Sequence, residues 1–180
     1  METLKINNNL YLRLIRFTDA VAIFNAIDKH REYFKEWLPF VDYTQSVSDS
    51  EDFVNSILNN NSRFKDIVYS IIYDEQFVGL IAFKEIDFLN KRTEIGYWLS
   101  ADYQGKGIIT ESVEKMIDYA FETLNLNRIQ IKCAVGNIKS INIPKRLGFK
   151  FEGIERDGEF YSEDKFFDIE VYSILKREWI

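Results

Sequence analysis

The strand-like run Glu94-Ile95-Gly96-Tyr97-Trp98-Leu99 leads within a few residues into Tyr103-Gln104-Gly105-Lys106-Gly107-Ile108-Ile109-Thr110. That second stretch opens directly into a strongly amphipathic helix. A glycine-rich turn between a strand and a helix constrains the fold, because it fixes an α/β unit and places the turn at a helix N-terminus. Such a turn suits an anion. Glycine lets the backbone come close to a phosphate, the first-turn N–H groups point at it, and the helix dipole adds favourable potential. The sequence therefore predicts a phosphorylated ligand held over residues 104–110, by backbone rather than by side-chain charge.

Two familiar phosphate loops fail on spacing. A Walker A loop needs Lys and then Ser or Thr after its last glycine, and Ile108 and Ile109 follow Gly107. The dinucleotide fingerprint needs Gly or Ala three residues after Gly107, where Thr110 stands.

The remaining periodicity alternates strands with helices. Residues 10–16 alternate as a strand, and Thr18-Asp19 can cap a helix running to about Lys29. A short helical stretch follows to Pro39, then a helix over residues 48–58 that ends at Asn59-Asn60-Asn61-Ser62. Residues 67–73 and 77–86 read as a hairpin about Asp74-Glu75-Gln76, with residues 92–99 as the next strand. After the loop, Ile109, Val113, Met116, Ile117, Ala120, Phe121 and Leu124 fall at helical spacing. Residues 128–135 alternate again, 140–147 form a short helix with Gly148 suited to its end, and 151–160 and 166–175 are the final strands. The triple-asparagine runs at 7–9 and 59–61 read as loops. Strands alternating with helices, together with two hairpins, give a mixed sheet.

Composition excludes several classes. One domain over residues 1–180 is the natural count for this length, and 46% apolar with 16% aromatic residues marks a globular chain. No apolar run approaches a membrane span and no leader is evident, so no membrane partner is expected. The single Cys133 excludes an internal disulfide and fits a reducing cytoplasm. One His and one Cys cannot build a usual zinc site, so no metal is expected. His30, the single histidine, is expected as a solvated surface residue. A net charge of −6 argues against bulk nucleic-acid binding and mildly favours a cationic partner.

The loop resembles the acyl-CoA pyrophosphate loop of the GNAT N-acetyltransferase superfamily, which reads Gln/Arg-x-x-Gly-x-Gly/Ala between the fourth strand and the following helix. Gln104 and Gly107 match, and Ile109 departs from the last small residue, a departure familiar in the Rim-type branch that acetylates ribosomal-protein N-termini. The strand Glu94-Ile95-Gly96-Tyr97-Trp98-Leu99 is similar to that branch. So are Asn137-Ile138-Lys139-Ser140 followed by Leu147-Gly148-Phe149, and the tail Tyr172-Ser173-Ile174-Leu175-Lys176-Arg177-Glu178-Trp179. The resemblance spans nearly the whole chain in order. It implies a single-domain α/β (α+β) acyl-CoA N-acyltransferase fold, with a mixed, mostly antiparallel sheet flanked by helices. It also implies that the strands 92–99 and 128–135 splay apart to admit the pantetheine arm.

The same resemblance implies acetyl-CoA as acyl donor, held by Trp98, Leu99, Gln104, Gly105, Lys106, Gly107, Ile108, Ile109, Thr110, Asn137 and Ser140. Direct transfer needs a neutral amine, a fixed N–H donor for the oxyanion and a departing thiolate. The resemblance assigns the oxyanion donor to strand backbone near residues 97–99. Glu159, after Arg156-Asp157-Gly158, and Glu94 compete as base. The tyrosine many members carry seven residues after the Asn is replaced here by Pro144, so the acid is Ser140, water or none, and Ser140 is the candidate side chain. Asn137 and Ser140 also suit helix capping, and the two roles coexist. Cys133, in an apolar-facing register without a nearby His, reads as a buried inert thiol rather than a ping-pong nucleophile. Trp37-Leu38-Pro39-Phe40 either walls the acceptor cleft or packs in the core. The expected activity is acetylation of a primary amine, a protein N-terminal α-amine first. The alternatives are a polyamine or aminoglycoside acceptor, or a non-catalytic acyl-CoA sensor. A monomer or homodimer is expected.

Overall fold

The computed structural model describes residues 3–59, 65–162 and 165–179. Its strands are β1 (Thr3–Lys5), β2 (Leu10–Leu14), β3 (Lys65–Tyr73), β4 (Gln76–Asp87), β5 (Arg92–Leu99), β6 (Arg128–Ala134), β7 (Lys150–Ser162) and β8 (Lys165–Leu175). They form one eight-stranded sheet in the order β1-β2-β3-β4-β5-β6-β8-β7. Every neighbouring pair is antiparallel except β5 and β6. A parallel pair needs a crossover, and helix α4 (Ile108–Asp118) supplies it. The mixed sheet expected from the sequence is therefore present. The sequence reading missed only short β1, which pairs Thr3–Lys5 against β2.

Helices cover both faces. On one face α4, its π-helical continuation Tyr119–Thr123 and α5 (Ile138–Arg146) bury Ile108, Val113, Met116, Ile117, Phe121 and Ile141 against Leu12, Ile81, Phe83, Ile95, Ile129 and Ile131. The helical spacing that predicted α4 lies wholly in this core. On the other face α1 (Ala20–Lys29), α2 (Arg31–Lys35) and α3 (Val47–Leu58) bury Ile23, Ile27, Phe34 and Val54 against Val68 and Leu80. This second layer reaches the β7–β8 hairpin only near its end, where the Tyr161 hydroxyl donates to the Lys35 carbonyl, and Glu155, Glu159 and Phe166 stay exposed.

Local chemistry explains the boundaries. Asp49 Oδ2 accepts from the backbone N–H groups of Gln45 and Ser46, so α3 starts one residue earlier than predicted. Asp19 does not cap α1 as expected. Its carboxylate is buried and takes Arg13 at 2.7 Å, Ser70 Oγ at 2.7 Å and the Arg16 N–H at 2.9 Å. Gly148, at φ 77°, ends α5 in the left-handed conformation that glycine favours. Residues 7–9 are a bend, as read. The expected helix stop runs, from Asn60 onward, outside the described residues.

Candidate functional site

The site begins where the sheet divides. Strands β5 and β6 pair over three rungs, the last being Glu94↔Gln130. Beyond it β5 stays with β4 as far as Gly79↔Leu99, and β6 stays with β8 as far as Ala134↔Ile169. Each strand keeps its outer neighbour, so a fork opens between them. Backbone groups of β5 on that side lose their strand partner and become available to a ligand. Gly79 sets the backbone of β5 at the fork. A Cβ there would stand 2.2 Å from the Trp98 carbonyl oxygen, so only glycine lets β4 and β5 approach this closely.

The fork opens into a cavity of about 1120 Å³. Trp98, Leu99 and residues 104–110 form one wall, and Asn137, Ser140 and Arg146 face them from α5. All the cofactor-binding residues read from the sequence therefore share one cavity. Gly107 sits at φ 79° as the N-cap of α4, and Gly105 at φ 74°, so both occupy conformations that side chains resist. The first-turn N–H groups of α4 face the cavity as a ready anion site.

Charge is present as well, contrary to the backbone-only expectation. Lys106, Lys139 and Arg146 line the cavity, and none has a carboxylate partner among the described residues. Lys106 lies over the rings of Tyr73 and Tyr103, and Arg146 Nη1 donates to Thr110 Oγ1 at 2.8 Å. Lys106 was read from the sequence as part of the loop, but Lys139 and Arg146 were missed because their spacing in sequence carries no pattern; only the fold brings α5 to the loop. Gln104 spans the mouth, donating to the Tyr33 hydroxyl and accepting from Lys139 Nζ at 2.8 Å. His30 is not the solvated residue expected. Its side chain is only 17% exposed, and its Nε2 lies 3.1 Å from Asp102 Oδ2, which also takes Lys29 Nζ at 2.6 Å. That cluster ties the α1–α2 corner to the loop.

At the inner end, Asn137 Oδ1 caps α5 by accepting from the Ser140 N–H at 3.2 Å. Ser140 Oγ is 3.3 Å from Cys133 Sγ and 3.4 Å from the Tyr97 hydroxyl. Burial pushes the Cys133 thiol up to about 11, so it is protonated at neutral pH and a poor nucleophile. Burial likewise holds the Tyr97 phenol far above its usual range, so it keeps its proton. The sequence reading took only the backbone near Tyr97 into the site; its side chain was not singled out, because its alternation in β5 marks it only as a strand residue.

Neither Glu94 nor Glu159 lines this cavity. Glu94 sits at the closed end of the fork, where Lys84 Nζ lies 3.1 Å from one oxygen and Gln130 Nε2 donates at 3.3 Å to the other. Glu159 is exposed on β7, beyond a register shift between Glu155 and Glu159. Burial works to lower the Lys84 pKa, but the fields of Glu94, Glu159 and Asp66 together outweigh it, so the ammonium is held above the ordinary range. The carboxylates that do line the cavity are Glu36 and Glu111, neither of which the sequence singled out. Trp37 and Leu38 line it too. Trp37 lies 6.0 Å from the Phe167 ring, and Phe167 4.7 Å from Tyr161, giving an aromatic wall. Among the described residues no group of three or more His, Cys, Asp or Glu could hold a metal ion, and no helix is long and apolar enough to cross a membrane.

Comparison with known proteins agrees with this geometry. The acetyltransferase (GNAT) domain model matches residues 9–150. A ribosomal-protein-serine acetyltransferase of Escherichia coli (strain K12) is 30% identical over 172 residues, covering 96% of both chains. A spermidine N(1)-acetyltransferase of Vibrio cholerae is 25% identical over 175 residues, covering 97% of this chain and 98% of its own. Among solved structures, the microcin C7 self-immunity acetyltransferase MccE, in complex with acetyl-CoA and AMP, superposes with a TM-score of 0.89 at 30% identity, covering 95% of this chain and 94% of its own. A strand fork, a glycine loop at a helix start and a cation-lined cavity fit a phosphorylated thioester with a long arm, and the chain belongs to the GNAT family as an acetyl-CoA-dependent N-acetyltransferase.

Proposed function

We propose that the acceptor is the α-amine of a protein or peptide N-terminus. The observation that carries this reading is the charge balance at the fork. Glu94 already holds an ammonium from Lys84 and an amide from Gln130, and Glu159 bears on the same lysine. One lysine is shared among Glu94, Glu159 and Asp66, and Glu94 is engaged on both oxygens, so an arriving amine meets a hydrogen-bonded carboxylate rather than a free base. That suits an amine that needs little help to lose its proton. An α-amine has a pKa near 8, so a useful fraction is neutral without help, whereas a lysine-type amine near 10.4 is almost wholly protonated. The similarity to the ribosomal-protein-serine acetyltransferase supports the same choice.

In this reading the neutral amine nitrogen attacks the thioester carbonyl carbon. The N–C bond forms and the C–S bond breaks. The nitrogen loses one proton to water or to a carboxylate, and CoA leaves as a thiolate that takes its proton from solvent. The residues 104–110 hold the pyrophosphate, with Trp98, Leu99 and Asn137 along the arm. Backbone N–H groups of β5 near Trp98 receive the oxyanion. Ser140 Oγ stands where a departing thiolate needs a hydrogen bond. Glu94 and Glu159 act, if either does, through water, because neither reaches the cavity directly. Trp37 and Phe167 wall the acceptor side.

A second reading, acetylation of a polyamine, has one specific support, the likeness to the spermidine N(1)-acetyltransferase. The test is a matched panel: peptides with a free α-amine and blocked lysines, spermidine and an aminoglycoside, each with acetyl-CoA. Mass spectrometry should find one acetyl group on the peptide α-nitrogen and a higher kcat/KM there than on spermidine. Modification of spermidine or the antibiotic alone would overturn the acceptor assignment and leave the donor chemistry intact.

A further inference from the structure

Pro144 breaks the hydrogen-bond ladder of α5 at one chosen place. The helix starts at Ile138, so Pro144 lies in its interior rather than in the first turn. A proline nitrogen carries no hydrogen, and its ring crowds the carbonyl four residues earlier. That carbonyl belongs to Ser140. It is not left bare, because the Tyr97 hydroxyl, from β5 across the fork, donates to Ser140 O at 3.2 Å. The phenol has a single hydrogen. With that hydrogen committed to the carbonyl, its oxygen is an acceptor, and Ser140 Oγ lies 3.4 Å away on the same residue.

We propose that Tyr97 is a positioning residue for Ser140, taking over the hydrogen bond that Pro144 removes and thereby aiming the Ser140 hydroxyl into the fork. The inference rests on the acetyl-transfer reading of the site but not on the identity of the acceptor. Three features support it. Tyr97 and Ser140 line the same cavity, whereas Pro144 is buried behind them. Tyr97 keeps its proton, so its role as donor to the carbonyl persists across the working pH range. Cys133, the third polar atom around Ser140 Oγ, is also a neutral thiol, so no charged group competes for the hydroxyl. Tyr97 does not act as the acid. Its hydrogen is engaged, and a phenol this reluctant to ionise does not hand a proton to a thiolate. Ser140, whose hydrogen swings between Tyr97 and Cys133, is the group free to turn toward sulfur.

The experiment is a set of double-mutant cycles, read as kcat and the KM for acetyl-CoA on one fixed amine, with CoA binding by calorimetry as a second readout. Tyr97→Phe should lower kcat about tenfold while CoA affinity stays within about twofold, since the phenyl ring still packs and only the hydroxyl, donor to the Ser140 carbonyl and acceptor for its Oγ, is lost. Pro144→Ala restores a backbone N–H that can hold the Ser140 carbonyl. In that background Tyr97→Phe should cost less than about threefold. In a Ser140→Ala background Tyr97→Phe should cost almost nothing more, because the hydroxyl it aims is gone. An equal loss in all three backgrounds would overturn the proposal, as would a loss confined to the KM for acetyl-CoA. If Tyr97→Phe fails to fold, the Pro144→Ala/Tyr97→Phe pair decides instead: the proposal requires the double variant to fold and to keep more than about a third of the Pro144→Ala kcat.

Discussion

Gly107→Val is the sharpest test of the anion site. Gly107 has φ 79° and ψ −7°, and it is the N-cap of α4. A side chain in that left-handed region costs roughly 1–2 kcal/mol, and more when branched at Cβ. Open space does not rescue it, although a Cβ there would meet nothing closer than Glu111 Oε1 at 3.4 Å. The penalty is therefore in the backbone, and two outcomes follow. If the loop keeps its shape, the protein loses the strain energy in stability. If the loop relaxes, the first-turn N–H groups of α4 turn away and acetyl-CoA affinity falls by roughly 5–30-fold from the conformational term alone. A branched side chain adds to this penalty, so the expected loss is about tenfold or more. Calorimetry with CoA reads the affinity, and thermal melting reads the stability. Gly107→Ala should show the smaller loss of the two. A folded Gly107→Val protein that binds CoA as tightly as the wild type would refute the backbone-held phosphate.

Gly79→Ala forces a Cβ toward the Trp98 carbonyl, now 2.2 Å away, so β5 must move at the fork. A kcat loss on the order of 10²-fold is expected with circular dichroism unchanged, and a normal kcat would remove Trp98 from the reacting geometry. Cys133→Ala should retain kcat within a few-fold, and no acetyl-cysteine should appear by mass spectrometry in the wild type. With the thiol raised to about 11, only about one in ten thousand is ionised at neutral pH. Glu152 is held down to about 2 by the Arg128 guanidinium, with Ser173 as a lesser donor. Its folded value lies below its unfolded one, so the stabilisation is full above about pH 4.5 and is lost as pH falls toward 2. Denaturant melts of Glu152→Gln should therefore differ from wild type at pH 7 and converge near pH 2. A constant difference would exclude this pair as the source.

The fold was legible where periodicity meets punctuation. Helix α4 could be read because its apolar residues follow the helical period and its start is marked by Gly105 and Gly107. Strand β5 was bounded correctly because loops flank it on both sides. Short β1 was illegible, since three residues give no period to read and its pairing with β2 is a tertiary fact. Asp19 looked like a cap in sequence because Asp before an apolar run usually is one. The half-buried Arg13 and buried Ser70 that claim it come from strands β2 and β3. The glycine loop of the cavity was legible because a backbone anion site needs glycines at fixed places in one continuous segment. The acceptor half was not. Glu94 and Glu159 were chosen for their place in a family pattern, and a pattern says nothing of Lys84. That lysine reaches Glu94 only because Gly96 leaves room, a Cβ there lying 3.0 Å from Lys84 Cε. Tyr97 and Pro144 are 47 positions apart by their numbers in the chain, so no local reading could connect them.

The charge at the fork bears on which amines the enzyme can use. A strong general base must be free to accept a proton beside the nucleophile. Glu94 is engaged by Lys84 and Gln130, and Glu159 stands exposed outside the cavity. Proton removal is therefore the weak point of this site, and the acceptor's own pKa sets how much that matters. At pH 7.5 roughly a quarter of an α-amine is neutral, against roughly one in a thousand for a lysine-like amine. The difference is about two orders of magnitude in reactive species before any contact is made. In the proposed mechanism, a neutral amine is positioned against a thioester, with Ser140 assigned to the sulfur and β5 backbone to the oxygen, and the rate comes from placement. Such a site discriminates by basicity as much as by shape. The Lys84 contact that ties up Glu94 thus supports the proposed acceptor, the amine that needs a base least.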